Sequence, residues 1–369
     1  MAVLRLDLDN ILCFSNFSVD FSYPKKLVNS NLPNEYLSNY PNIRYRKVNV
    51  IVGTNASGKT SLGRALWQIF LFLKEKEASR ISKIVSYPDK PFSILMDCVF
   101  HDGVFFRVEI KKDSPKEELQ VRLRRLAANV TDTYETLVAR LDETVPFQSP
   151  VTALREFEFS GWNFSFPSIE EGFDMISCKY DEAEKADFCE IFKSVLSTMD
   201  SSIIDVRPST ELPDSFIVRF SDGDAVAITH GDKLSSIRRL SSGTKYAVNV
   251  AGVIYSIKKH RNGFYFVDEQ FSYVNSDIEI ACLTKMISFL DDGEQLFFTS
   301  HNAELLALPF PNHSFNFMGK KLEADGPSIF WTNAASLEKR NNVNIKNLFD
   351  NDFFDVSPDV SKILNIAES

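Results

Sequence analysis

Apolar and polar positions alternate at the start of the chain. "AVLRLDLDN" (2–10) and "FSNFSVDF" (14–21) read as short strands with one face toward a core. "KVNVIVG" (47–53) is instead an apolar run closed by glycine, which predicts a buried strand entering a tight turn. The spacing then becomes helical in "SLGRALWQIFLFLKEK" (61–76). "PFSILMDCVFHDG" and "VFFRVEIKK" (91–112) read as two strands about a His-Asp-Gly turn, a hairpin. From about 126 to 200 the pattern is helical with loops. Its clearest amphipathic piece is "DEAEKADFCEIFKSVLSTM", with Phe188, Ile191, Phe192, Val195 and Met199 on one face. Strands return at "IIDVR", "FIVRFSDG" and "AVAIT" (203–229). Helix, strand "GFYFVDE", helix "IEIACLTKMISFL" and strand "QLFFTS" (295–300) follow, an alternation that implies an α/β layer with a parallel sheet.

Composition narrows the class. The 369 residues allow one large domain or two coupled lobes, and 44% hydrophobic with 25% charged residues is a globular balance. Thirty-two Phe against three Trp predicts aromatic core filling. A net charge of −9 argues against nucleic-acid binding by bulk electrostatics, leaving the local clusters "VRLRRL" (121–126), "KKHR" (258–261) and "GKK" (319–321), read as solvated faces. Cysteines 13, 98, 178, 189 and 282 show no metal spacing and suit reduced thiols. With no apolar signal core at the start and no apolar run near about 18 residues, a soluble, cytoplasmic protein is expected.

The chemistry concentrates in "GTNASGKT" (53–60), which fits G-x-x-x-x-G-K-[ST] between a strand and a helix. Gly53 and Gly58 allow backbone angles and approaches that a Cβ would block. The N–H groups of Asn55, Ala56, Ser57, Gly58 and Ser61 would then cradle phosphates at a helix N-terminus. Lys59 would reach the β- and γ-phosphates of ATP, and the Thr60 hydroxyl would ligate Mg²⁺. "FYFVDEQ" (264–270) delivers Asp268 and Glu269 at a strand end, Asp268 for Mg²⁺ and Glu269 as general base on water. "LFFTSHN" (296–302) places His301 on the same rim to sense the γ-phosphate. In "RRLSSGTKYA" (238–247), Ser241 and Gly243 open a helix whose bare N–H groups suit an anion.

In this order, "GTNASGKT", "LSSGT", "FVDE" and "FTSHN" resemble the ATPase head of the ABC superfamily, closest to its SMC/RecF-like branch. The resemblance implies an α/β P-loop fold of ABC-ATPase type: a mixed N-terminal β lobe, a parallel-sheet core and a short helical insertion. It implies segments 1–125, 126–200, 201–345 and 346–369, as phosphate-loop lobe, insertion, signature lobe and tail. It further implies a head-to-tail dimer, or a higher even oligomer, in which Ser241 and Gly243 of one copy meet the γ-phosphate held by the other. Ser242 stands where many relatives have glycine.

More diffusely, "LDNILCFSNFSVDF" resembles the family's opening strands. "FNFMGKK" through "FWTNAASLEKRNNVNIKNLF" resembles the tail of the stand-alone OLD-like ATPases of bacterial abortive-infection and antiphage systems. Departures accompany it. "QFSYVNSD" (270–277) lacks the usual His-Pro or Leu-Asp, with Asn275 and Ser276 the nearest substitutes, and only Gln148 offers itself as a lid glutamine. No coiled-coil arm, Toprim-like acidic cluster or nuclease-like histidine spacing is seen. The expectation is an ATP- and Mg²⁺-dependent ATPase regulating a separate effector such as a nuclease or toxin, without a membrane. The rivals are a DNA-binding RecF/SMC-like repair ATPase, a transporter subunit and a non-hydrolysing scaffold.

Overall fold

The computed structural model describes all residues except 24–30, 33, 168–179, 213–214, 230–237, 273, 324–325, 339–342, 357–365 and 367–369. The chain forms two compact units, Met1–Ser160 with Phe297–Ser369, and Gly161–Leu296. This division differs from the four segments expected, because contacts join stretches far apart in sequence.

The first unit opens with β1 (Ala2–Asp9), β2 (Phe17–Asp20), the small hairpin β3 (Tyr36–Leu37) and β4 (Tyr40–Arg44), and β5 (Val48–Val52). Helices α1 (Lys59–Glu75) and α2 (Ala78–Ser82) follow, then β6 (Phe92–Val99), β7 (Val104–Lys112), β8 (Gln120–Ala127) and the short helices α3 (Tyr134–Ala139) and α4 (Pro150–Ala153). An antiparallel sheet runs β2-β1-β6-β7-β8, and the expected hairpin is β6–β7 with Val99 opposite Phe105. β1 buries alternate residues toward a cluster of Leu4, Tyr45, Val99, Phe105 and Leu137, as a sheet with one packed face does.

The second unit holds β9 (Trp162–Ser165), α5 (Glu182–Met199), β10 (Ile203–Pro208), β11 (Ser215–Phe220), β12 (Ala225–Thr229), α6 (Ser242–Lys258), β13 (Phe264–Asp268) and α7 (Ser276–Phe289). Strand β14 (Gln295–Ser300) leads back to the first unit, which closes with β15 (Phe315–Glu323), β16 (Gly326–Asn333), α8 (Ala334–Leu337) and α9 (Ile345–Asp350). In the first unit β15 pairs parallel with β5 and antiparallel with β16. β5, β13 and β14 are buried at every position, the signature of strands covered on both faces.

The stretch 126–200 is less helical than its pattern predicts. Residues 126–127 finish β8, and β9 is a strand parallel to β13, with Phe164 opposite Phe266. "WNFS" carries no period of its own; the pairing makes it a strand. Phenylalanine fills cores in both units. Phe106 meets Phe157 at 5.0 Å and Phe159 at 5.8 Å, while Phe188 stacks on Tyr180 at 4.3 Å and meets Phe216 edge-on at 5.2 Å.

The basic clusters are largely neutralised. Arg122 and Arg124 both bind Glu109, and Arg124 also pairs with Glu143. Burial works to raise the Glu109 carboxyl, but the Arg122 hydrogen bonds and the Arg124 charge outweigh it and hold the group below its ordinary range. Lys258 and Lys259 share Asp187, His260 meets Glu294, and Arg261 meets Glu184. The described cysteines, Cys13, Cys98, Cys189 and Cys282, are free thiols, and burial pushes Cys282 up to about 12. Among the described residues no helix is long and apolar enough to cross a membrane.

Candidate functional site

β5 ends at Val52, and the loop 53–58 turns the chain into α1. Two features make it a cradle. A Cβ on Gly53 would collide with the Met318 carbonyl of β15, and Gly58 sits at φ +99° with Cys13 Sγ and Met318 Cε each 3.3 Å from where its Cβ would stand. Ala56 is also left-handed, at φ 61°. Such reversals turn successive N–H groups toward one side, the geometry of an anion nest.

Lys59 is 3% exposed, and its ammonium donates to the Gly53 carbonyl at 2.7 Å and the Thr54 carbonyl at 3.1 Å. His301, just beyond β14, brings Nδ1 to 3.0 Å from the same Gly53 carbonyl and 3.4 Å from Lys59 Nζ. With the ring hydrogen assigned to Nδ1, Gly53 accepts from both side chains, and Lys59 and His301 converge on one carbonyl. The Ser57 hydroxyl is 1% exposed and has no hydrogen-bond partner among the described residues. A buried orphan hydroxyl inside a loop of reversed backbone fits a phosphate ligand. Asn55 is exposed, and Thr60 and Ser61 are half-buried at the start of α1.

In the second unit β13 ends on Asp268, which is fully buried. Glu269 follows in a left-handed conformation, φ 43°, and is half-buried. Backbone in that region is costly for a residue with a Cβ and gathers at functional turns. Neighbours hold the turn: Gln270 Nε2 donates to the Asp268 carbonyl at 3.2 Å, and Ser272 Oγ to the Glu269 carbonyl at 3.1 Å. Ser241 is the N-cap of α6, accepting from the Thr244 N–H at 3.1 Å, and the first turn carries no acid. Ser241 and Ser242 are exposed and Gly243 half-buried, so this helix start faces outward from its own unit.

Two substitutes named from the sequence have structural roles here. Asn275 caps α7 through the Asp277 N–H at 2.8 Å, and Gln148 forms a backbone bridge with Val121. Thr54, Gln270 and Met318 escaped sequence reasoning. Thr54 and Met318 act through backbone carbonyls, which side-chain identity does not reveal. No cluster of three or more His, Cys, Asp or Glu occurs among the described residues. Mg²⁺ needs none, since one or two carboxylates, a hydroxyl and substrate phosphates suffice.

A scan against protein-family models finds no match, and a search of curated proteins finds none. Solved structures do match. An SMC head bound to the C-winged helix domain of ScpA is similar over 92% of this chain and 100% of its own, at 14% identity and TM-score 0.52. An SMC head with an extended coiled coil, bound to the C-terminal domain of ScpA and derived from Pyrococcus furiosus, matches over 91% and 98%, at 14% and 0.51. The SMC head domain from Thermotoga maritima matches over 90% and 99%, at 14% and 0.43. The fold is that of SMC heads. It is the mixed α/β fold with a parallel-containing sheet that the motif order predicts.

Proposed function

We propose that the chain binds ATP with Mg²⁺ and hydrolyses it, and that two copies close head to tail around two nucleotides. The convergence of Lys59 and His301 on the Gly53 carbonyl, inside a loop with no room for a side chain at Gly53 and a left-handed backbone at Gly58, carries this reading.

In this reading the loop N–H groups and Lys59 orient the phosphates, and Thr60 and Asp268 hold the metal. A Mg²⁺ held there would supply charge neutralisation on the phosphates. Glu269 accepts the proton of the attacking water from its place at the turn that ends β13. His301 moves with the phosphate loop through Gly53 and so reports what the loop holds. Ser241 and Gly243 of the second copy contact the γ-phosphate, a contact that hydrolysis removes. That loss biases a two-state interface, the property of a switch.

The switch serves a partner effector protein, and the likeness of the C-terminal stretch to OLD-like ATPases supports a role in antiphage defence. Two similar SMC heads are described in complex with ScpA, which supports partnership with another protein. The DNA-repair alternative calls for a basic strip, whereas the cations of "KKHR" and two of the three arginines in "VRLRRL" are paired with acids.

Lys59→Ala tests the reading. It is expected to cost about 1.5–3 kcal/mol of ATP affinity, roughly 10- to 150-fold, measured by titration calorimetry. Wild-type affinity in this variant would remove the phosphate loop from the account.

A further inference from the structure

β8 is the outer strand of the five-stranded sheet. Its outer edge is engaged near one end, where Val121 and Gln148 exchange hydrogen bonds of 2.8 and 2.9 Å. In an antiparallel ladder alternate residues turn their N–H and C=O to alternate sides. Val121, Leu123, Arg125 and Ala127 therefore all address this edge. After Gln148 the chain turns into α4 at Pro150, which stays against β8 so that Thr152, Ala153 and Phe157 form the facing wall of a groove, and the Ala127 carbonyl is taken by Arg140 at 3.2 Å. Between those points the outward N–H and C=O of Leu123 and Arg125 meet no main-chain partner among the described residues. A solvent-open groove of about 250 Å³ lies along them, with Leu123 and Phe157 as its apolar part and Arg125, Arg155 and Glu156 as its charges.

We propose that this edge docks an extended segment of a partner protein in which acidic and apolar residues alternate, added to the sheet as a strand beside β8. Strand addition to an open edge draws affinity from main-chain bonds and specificity from the alternate side chains. The charges select the acid. Arg122 and Arg124 are held by Glu109, whereas Arg125 and Arg155 have no acidic partner among the described residues, and both flank the groove. Across the whole chain the charge is −9, and these two arginines stand against that negative background. A second copy pairing edge to edge about a two-fold axis at Arg124 would set Leu123 against Arg125 and leave both arginines without an acid. A phosphodiester backbone has no N–H donors for the free carbonyls. The proposal is independent of the nucleotide reading.

The test is fluorescence anisotropy on the full chain with a labelled peptide of alternating Glu and Val. Saturable binding is expected, weakened by about tenfold or more in the Arg125→Glu, Arg155→Glu double variant, whose side chains are exposed. Binding should vanish when alternate peptide nitrogens are methylated. Absence of saturable binding, or equal binding by the double variant or by the methylated peptide, would overturn the proposal. So would a nucleotide-independent dimer broken by the double substitution, which would make a second copy the occupant. Oligo-dT binding lost in the double variant, with no peptide binding in the wild type, would assign the edge to nucleic acid.

Discussion

Glu269→Gln is expected to slow ATP turnover by roughly 10²- to 10⁴-fold while leaving nucleotide binding intact. Glutamine matches glutamate in size and occupies the same left-handed position at no greater backbone cost, so the turn after β13 persists. It cannot accept a proton from water. With hydrolysis blocked, the γ-phosphate contacts of Ser241 and Gly243 across the interface last, and the variant should accumulate as an ATP-dependent dimer by size-exclusion chromatography with light scattering. The wild type should lose specific activity on dilution, because each site then lacks its second half. Normal turnover by Glu269→Gln would remove the base assignment. Full activity at high dilution would remove the shared site and leave a one-chain ATPase.

Asp97→Ala is expected to destabilise the protein by about 3–5 kcal/mol, read from the midpoint of urea unfolding. Asp97 is fully buried on β6, directly opposite Arg107 of β7. It accepts from Arg107 Nε and Nη2, each at 2.7 Å, and from the Tyr134 hydroxyl at 2.7 Å. Burial lowers the Arg107 pKa, but the Asp97 hydrogen bonds and charge more than reverse it, leaving the guanidinium above its ordinary range. Burial and then the Asp97 charge push the Tyr134 hydroxyl up. Alanine strands a nearly buried guanidinium and a phenol together, and the penalty of the unpaired charge exceeds the worth of the pair. Asp97→Asn keeps an acceptor and should lose less. A loss under about 1 kcal/mol for Asp97→Ala would place the triad among weak surface pairs.

The two variants probe different depths of legibility. Glu269 could be singled out from four apolar residues followed by two acids, because β13 is buried on both faces and its end is a fixed place in an α/β sheet. Asp97 could not. In "SILMDCVF" it sits among apolar residues as an anomaly, and its partners lie 10 and 37 positions away. The turn at 53–58 was readable from its residues, since its requirements are local: glycine at Gly58 for a positive φ, and Lys59 and Thr60 opening α1.

Local pattern thus decided the strands β1, β5, β6, β7, β13 and β14, the caps and turns, and the backbone shape of the loop. Their information lies within one element: a period, a φ or a side chain touching its own neighbours. The fold around them decided the rest. β9 is a strand because β13 offers it an edge, and Gly53 must lack a side chain because the β15 backbone passes Met318 against it. His301 joins the loop because β14 delivers it to a carbonyl 248 positions away. Clusters that looked basic in one dimension are mostly neutral, since Glu109, Asp187, Glu184 and Glu294 reach them from other elements. Charge and burial act through distance in space, and sequence order leaves that distance open.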